Sequence, residues 1–386
     1  MPFITLADYL LLPFYVLAIY GIAYAVRNRF YPPDHPWRPY FLPGLTVKVV
    51  GAIFIGLVYR YYYGGGDTSY YFYHAQVVNS AFAESPVKWV NLMLRIPAWY
   101  DGDYIQYTSQ MEWYGDKASY TVVTIAAFLS MLCFNTFLPT SVLFAAISFT
   151  GIWAMFRTFA RQYPHLTRQV ALATLFIPST FIWGSGIFKD TVCMFGLGWL
   201  IYSVFQVLIR RSLSISGIVL TILLCFLLAR VKVYILIAFL PALALWILFT
   251  YSHKIKIRLV RSIVKLSTIL IAALFFVFIS NEFSAQMGRY SLDNIAKTSY
   301  VTRQWIFYSS GDEGSTYDLG EFSPTFSGML SKFPQAVNVT LFRPYLWEAK
   351  KVIVMMNALE AFLFLHLTLK VLIRVGPVKV YKSIAE

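Results

Sequence analysis

Long apolar runs alternate with short, arginine-rich polar breaks along most of the chain. A run of about 18–20 apolar residues can cross a bilayer as a helix. Such runs lie roughly at 8–26, 44–63, 119–137, 138–156, 169–187, 190–209, 214–229, 233–251, 262–280 and 352–373. The pattern predicts an all-α fold, a polytopic integral membrane helical bundle of about nine to eleven membrane segments forming one domain over residues 1–386. Two stretches, 64–118 and 281–351, exceed the usual connection of about 4–6 residues many times over and read as long outer loops. The first run has no basic segment before it, so it reads as a retained helix rather than a cleaved signal peptide.

Composition sharpens the class. The 386 residues are 58% hydrophobic and only 13% charged, about half the charged share of a soluble domain. Disorder is excluded, because it needs low hydrophobicity. The net charge of +14 could signal a nucleic-acid partner, but no basic domain protrudes to make a footprint, and none is expected. The basic residues instead cluster between spans: Arg27/Arg29/Arg38, Arg157/Arg161/Arg168, Arg210/Arg211, Lys254 to Lys265, and Arg374/Lys379/Lys382. The positive-inside rule assigns these clusters to the cytoplasm, where they also attract anionic lipid. Almost all acids then fall outside or at the outer helix ends; Asp34, Glu386 and the intramembrane Glu360 are the exceptions. One conflict remains. Arg38 and Arg157 can share a side only if the crossings between 67 and 157 are odd in number, so one apolar segment there must be re-entrant or interfacial, or a further crossing must exist. The amphipathic stretch 86–100 is suited to lie on the membrane surface.

Candidate chemistry concentrates on the outer side. The first long loop opens with Tyr61-Tyr-Tyr-Gly-Gly-Gly-Asp67-Thr-Ser-Tyr. Glycines allow a sharp turn and close substrate approach, and a carboxylate delivered there can act as a general base. Gly-Asp-Thr-Ser before an apolar run is equally a helix start, and both roles stay open. Further on, Asp101-Gly-Asp103 has the spacing of a pair that holds a divalent cation on a diphosphate, and is also a plain turn signal. Lys189-Asp190, Arg230-Val-Lys232-Val-Tyr234 and Arg343-Pro-Tyr-Leu-Trp-Glu348 all lie at predicted outer helix ends. Ionisable groups near membrane depth are expensive, so they are usually paired or functional. Together these cations would suit a lipid diphosphate, with Asp190 and Glu348 as ion-pair partners or substrate contacts. The competing reading is interhelical salt bridging and snorkelling. Gly184, Gly186, Gly196 and Gly198 are expected to serve close helix approach. Cys133, Cys193 and Cys225 sit in apolar runs with no disulfide or metal spacing, and the histidines show none either.

The layout of Arg60, Gly65/Gly66, Asp67 and Tyr70/Tyr71 after two spans resembles the EpsG-type (Wzy-like) exopolysaccharide and O-antigen polymerase family. Lys189-Asp190 stands where that family commonly has Arg-Gln, and Ala229-Arg230-Val-Lys232 where it has Ala-x-x-His. The resemblance covers roughly residues 45–250. The run Phe342-Arg343-Pro-Tyr-Leu-Trp-Glu348 is similar to a segment of polytopic GT-C-like membrane proteins. What the resemblance implies is an inverting membrane glycosyltransferase or polymerase in the bacterial inner membrane, acting at its outer face on a polyprenyl-diphosphate-linked oligosaccharide. Asp67 would be the catalytic base. Arg60, Lys189, Asp190, Arg230, Lys232, Tyr234, Arg343 and Glu348 would bind substrate, and a divalent cation on Asp101 and Asp103 would be optional. The alternative is a non-enzymatic subunit that anchors an envelope assembly through the long loops. A transporter is disfavoured, because no inverted repeat is visible and the charges sit at helix ends rather than the midplane.

Overall fold

The computed structural model describes residues 3–210, 214–252, 267, 270, 292–310, 319–349 and 351–380. The predicted span 262–280 and the basic cluster 254–265 lie almost wholly outside them. The described residues are helical with no strand, and five helices are long and apolar enough to cross a membrane. The chain divides into two compact units, Met1–Leu240 and Pro241–Glu386.

The first unit begins with α1 (Leu6–Phe30) and α2 (Arg38–Tyr61). They are followed by α3 (Asp67–Glu84), α4 (Pro86–Met93), α5 (Ile105–Thr108), α6 (Lys117–Met131) and α7 (Phe137–Gln162). A buried carboxylate fixes the direction of α7 relative to α1. Asp8 Oδ1 accepts the Leu138 backbone N–H at 2.8 Å, while Oδ2 accepts Thr5 N at 2.7 Å and Thr5 Oγ1 at 2.9 Å. At the far end Trp153 Nε1 donates to Tyr31 Oη at 2.6 Å, and the Arg161 guanidinium lies 5.4 Å from the Trp37 ring. So α1 and α7 run the same way and α2 runs against them. Arg27, Arg38, Arg157 and Arg161 therefore gather at one end, the basic end.

This arrangement resolves the conflict between Arg38 and Arg157. The predicted crossing 119–137 is instead the 15-residue α6. It ends at Met131, where the chain turns through Phe134 and Asn135, both at positive φ. The first long loop is largely helix, and α3 lies beside α6 in parallel. Tyr71 is within hydrogen-bond reach of the Ser119 hydroxyl, and Asn79 Nδ2 donates to Ala127 O and Ser130 Oγ, both at 2.9 Å. Neither α3 nor α6 is both long and apolar enough to span. Between Asp67 and Arg157 only α7 is long and apolar enough to cross, which gives the odd number that the positive-inside rule requires.

The predicted span 169–187 is also corrected. It is an interrupted segment: α8 (Thr167–Leu175), α9 (Pro178–Ile182), then an irregular turn to Phe188. Pro178 cannot continue α8 and restricts the residue before it, so the helix stops. The segment rises beside α2, with Leu175 against Gly44, Phe181 against Gly51 and Phe188 against Tyr59. Freed carbonyls at this depth need donors. Lys48, 1% exposed in mid-α2, donates to Gly184 O and to Thr180 O, and Ser148 Oγ donates to Gly184 O at 3.0 Å.

The unit closes with α10 (Lys189–Val204), extended by a π turn to Ile209, and with the part of α11 (Ile215–Ser252) that runs to Leu240. Gly198 faces Gly151 so closely that a Cβ would sit 2.1 Å from the Gly151 carbonyl oxygen, which lets α10 press directly on α7. The helix assigned to α11 breaks at Lys232, whose φ −146° and ψ 81° are not helical. That break separates the predicted spans 214–229 and 233–251. Thr221 bonds Ser203 at 3.0 Å and Leu228 packs on Gly196, so the first half of α11 returns antiparallel to α10. The core at the basic end is aromatic: Tyr31, Trp37, Phe41, Phe149, Trp153 and Phe156 interlock edge-to-face.

In the second unit the described part of 281–351 contains α12 (Leu292–Ser310), α13 (Phe326–Ser331) and α14 (Phe333–Phe342). The final helix, α15 (Val352–Val375), covers the last predicted span and carries the half-buried Glu360.

Candidate functional site

Tyr59, Tyr63, Asp67 and Phe188 gather at the end of the first unit opposite the basic end. Gly64, Gly65 and Gly66 all adopt positive φ (72°, 148° and 134°), a run that residues with a Cβ would resist. They turn the chain from α2 directly into α3. Gly66 is the N-cap, and Ser69 closes the turn: its Oγ accepts Gly66 N at 3.0 Å and donates to Gly66 O at 2.7 Å. Asp67 is the first helical residue rather than the cap. Its carboxylate is exposed and makes no hydrogen bond or ion pair among the described residues.

Beside it stand two ion pairs between helices. Lys189, at the start of α10, reaches Asp116 Oδ2 at 3.3 Å. Asp116 is the N-cap of α6, accepting Ala118 N at 3.2 Å and Ser119 N at 3.1 Å, with the Ser119 hydroxyl donating at 2.5 Å. Burial pushes the Asp116 carboxyl up, but the Ser119 hydrogen bonds and the Lys189 charge outweigh it and hold the group below its ordinary value. One residue along α10, Asp190 accepts Lys232 Nζ at 2.5 Å. Lys232 leaves the helix at the α11 break, which carries its ammonium, 19% exposed, across to α10.

Tyr71 ties these groups together. Its ring is 2% exposed. Burial raises its phenol above the ordinary value; the Ser119 hydroxyl opposes this, while the charges of Asp67, Asp116 and Asp190 add to it. Three carboxylates therefore act on one phenol, so Asp67 and both ion pairs belong to one neighbourhood. Next to Tyr71, His74 is 1% exposed with Nδ1 unpartnered, and burial takes it down to about 4. Trp113 lies against Tyr70, Tyr71 and His74.

The remaining expected residues fall in other settings. Arg60, in the last turn of α2, places its guanidinium 5.6 Å from the Tyr61 ring. Arg230 is exposed over Phe226, and Tyr234 lies 5.9 Å from Lys232 Nζ. In the second unit Arg343 grips Glu348 bidentately, at 2.5 Å and 3.1 Å, and Glu348 also accepts Tyr345 N at 2.9 Å. The Arg343 hydrogen bonds lead in holding the Glu348 carboxyl below its ordinary value. Asp101 Oδ1 accepts Asp103 N at 3.1 Å, the turn form of Asp-Gly-Asp. Among the described residues no cluster of three acidic, histidine or cysteine side chains is placed to hold a metal.

Asp116, Tyr71 as the shared neighbour, and Lys48 are what the sequence pattern left out. Asp116-Lys-Ala-Ser before an apolar run is an N-cap signal, and a lone lysine inside an apolar run signals a paired or functional charge. The chain matches no protein-family model, no curated protein and no solved structure.

Proposed function

We propose that the protein is an integral-membrane inverting glycosyltransferase or polysaccharide polymerase, GT-C-like in layout, in the bacterial inner membrane. Its substrate would be a polyprenyl-diphosphate-linked glycan presented at the outer face. The observation that carries this reading is the exposed, unpartnered Asp67 carboxylate on a glycine turn, beside the Asp116–Lys189 and Asp190–Lys232 pairs. Asp67 takes the proton of an acceptor hydroxyl. The hydroxyl oxygen attacks the anomeric carbon, the bond to the diphosphate oxygen breaks, and configuration inverts. The leaving diphosphate draws Lys189 and Lys232 away from their carboxylates, and these ammoniums stabilise the charge that develops on it.

The pairing of both lysines also favours a second reading, a non-enzymatic subunit whose ion pairs are structural and whose long outer segments dock envelope proteins. Purification in gentle detergent separates the two. A glycosyltransferase carries a lipid-linked glycan, detected by mass spectrometry and lost in the Lys189→Gln/Lys232→Gln variant. A docking subunit carries a stoichiometric set of partner proteins and no lipid-linked sugar.

A further inference from the structure

A cavity lies at the basic end of the first unit, away from Asp67. It is a groove of about 580 Å³ between α1, α2 and α7, within the range of about 300–1,000 Å³ common for small-molecule sites. Its depth is apolar, formed by Ile19, Ala23, Leu45 and Phe149. Ile22 and Val26 also line it and are themselves exposed, so the groove opens sideways between helices, where a bilayer would meet it. His35, Arg157 and Arg161 form its polar mouth.

No acid lines this groove among the described residues. The Arg157 guanidinium lies 4.5 Å from the Tyr202 ring and 5.7 Å from Trp199, and its Nε is buried with no hydrogen-bond partner. Arg161 lies over Trp37. Its field reaches His35, which burial first and then the Arg161 charge hold below the ordinary value. Two guanidiniums faced by aromatic rings have no counter-charge among the described residues. Guanidinium matches phosphate oxygens bidentately, and basic pockets between helices on the cytoplasmic side are suited to anionic headgroups.

We propose that this groove is a binding site for an anionic glycerophospholipid of the inner leaflet. Its phosphate is held by Arg157 and Arg161, and an acyl chain lies along Ile19, Ala23 and Leu45. The charge at the mouth selects the headgroup, and the lateral opening admits the chain without its leaving the bilayer.

The test uses the purified full-length protein in a mild detergent. Thermal shift and native mass spectrometry are followed while dioleoyl phosphatidylglycerol or dioleoyl phosphatidylcholine is titrated in. Binding is expected to favour phosphatidylglycerol by roughly tenfold or more at low salt, to weaken as salt rises, and to fall to within about twofold of phosphatidylcholine in Arg157→Gln/Arg161→Gln. Ala23→Trp, which fills the chain slot and leaves both arginines, is expected to weaken both lipids. Should the double variant fail to fold, the exposed Arg161→Gln alone carries the same prediction in smaller measure. Equal binding of the two lipids by the wild type, or a preference that survives both arginine substitutions, overturns the proposal. Displacement of phosphatidylglycerol by an equal or lower concentration of a polyprenyl monophosphate overturns the assignment to a glycerophospholipid.

Discussion

At the Asp67 end of the first unit, Lys189 and Lys232 reach carboxylates on other helices; at the basic end, Arg157 and Arg161 lie over aromatic rings and no ion pair engages them among the described residues. The first end pairs Lys189 and Lys232 internally and ties α6, α10 and α11 together in doing so, while Arg60 and Arg230 there lie over Tyr61 and Phe226. At the other end Arg157 and Arg161 have no carboxylate partner among the described residues. A ligand arriving at the first end must compete with Asp116 and Asp190, whereas a ligand at the second meets free guanidinium. Between the two ends, Lys48 is a third case: a cation satisfied by backbone carbonyls alone.

Substitutions sharpen this contrast in order of burial. Lys48→Met keeps an unbranched side chain one atom shorter but removes the donor from Thr180 O and Gly184 O. It should lower unfolding free energy by roughly 1–3 kcal/mol, the cost of leaving buried acceptors short of partners. A neutral result in a denaturation series would mean that Ser148 alone satisfies the break. Asp190→Asn should cost about 1 kcal/mol or less, because Asp190 is half exposed and solvent screens the pair. A double-mutant cycle with Lys232→Gln measures the coupling, and a value of several kcal/mol would contradict that ranking. Smallest of all, Arg161→Gln in lipid-free detergent should change stability by about 0.5 kcal/mol, since among the described residues it loses no ion pair, only an exposed cation–π contact with Trp37. A larger loss would point to a counter-charge within the chain.

Acidification adds a separate test at the Asp67 end. His74 is depressed to about 4 from an ordinary 6.5. As pH falls through that window, the unfolded chain gains a proton that the folded protein refuses, so stability falls. The Asp116 carboxyl is also depressed, so its contribution is present above its unfolded value and is lost as pH falls through the folded one, at more acid pH. Thermal melts against pH should therefore lose the first decline in His74→Gln and the second in Asp116→Asn. Asparagine still caps α6, so the second substitution isolates the charge. Melting temperatures that keep both declines in these variants would contradict the assignment.

Much of the helical frame is legible from hydrophobic run length, because a run such as 138–156 has few other ways to satisfy its backbone in a membrane. The helices Leu6–Phe30 and Phe137–Gln162 extend beyond the predicted runs at both ends, and Arg38–Tyr61 starts earlier and stops two residues sooner. Run length is blind to interruptions. It passed over Pro178 in 169–187 and over the positive-φ turn at Phe134 and Asn135. It also read 64–118 as loop, because α3 is too polar to register as a span yet buries Tyr71, Phe72, Val77 and Val78. The cationic residues were visible as candidates, but their partners were not. Asp116 and Lys189 are 73 positions apart, and only the fold brings them together. Lys48 also qualifies the argument from helix-end charges against a transporter, since it sits in mid-helix; among the cavities described, it lines none.

The central claim is that Asp67 is a base rather than a helix-end charge. The direct test is Asp67→Asn in cells that depend on this protein for a surface polysaccharide, with polymer length and protein abundance measured together. Loss of a general base should lower polymer formation by about 10²-fold or more, with abundance and melting temperature unchanged, because among the described residues Asp67 has no hydrogen bond or ion pair that asparagine would lose. Polymer of normal amount and length in that variant would contradict the account.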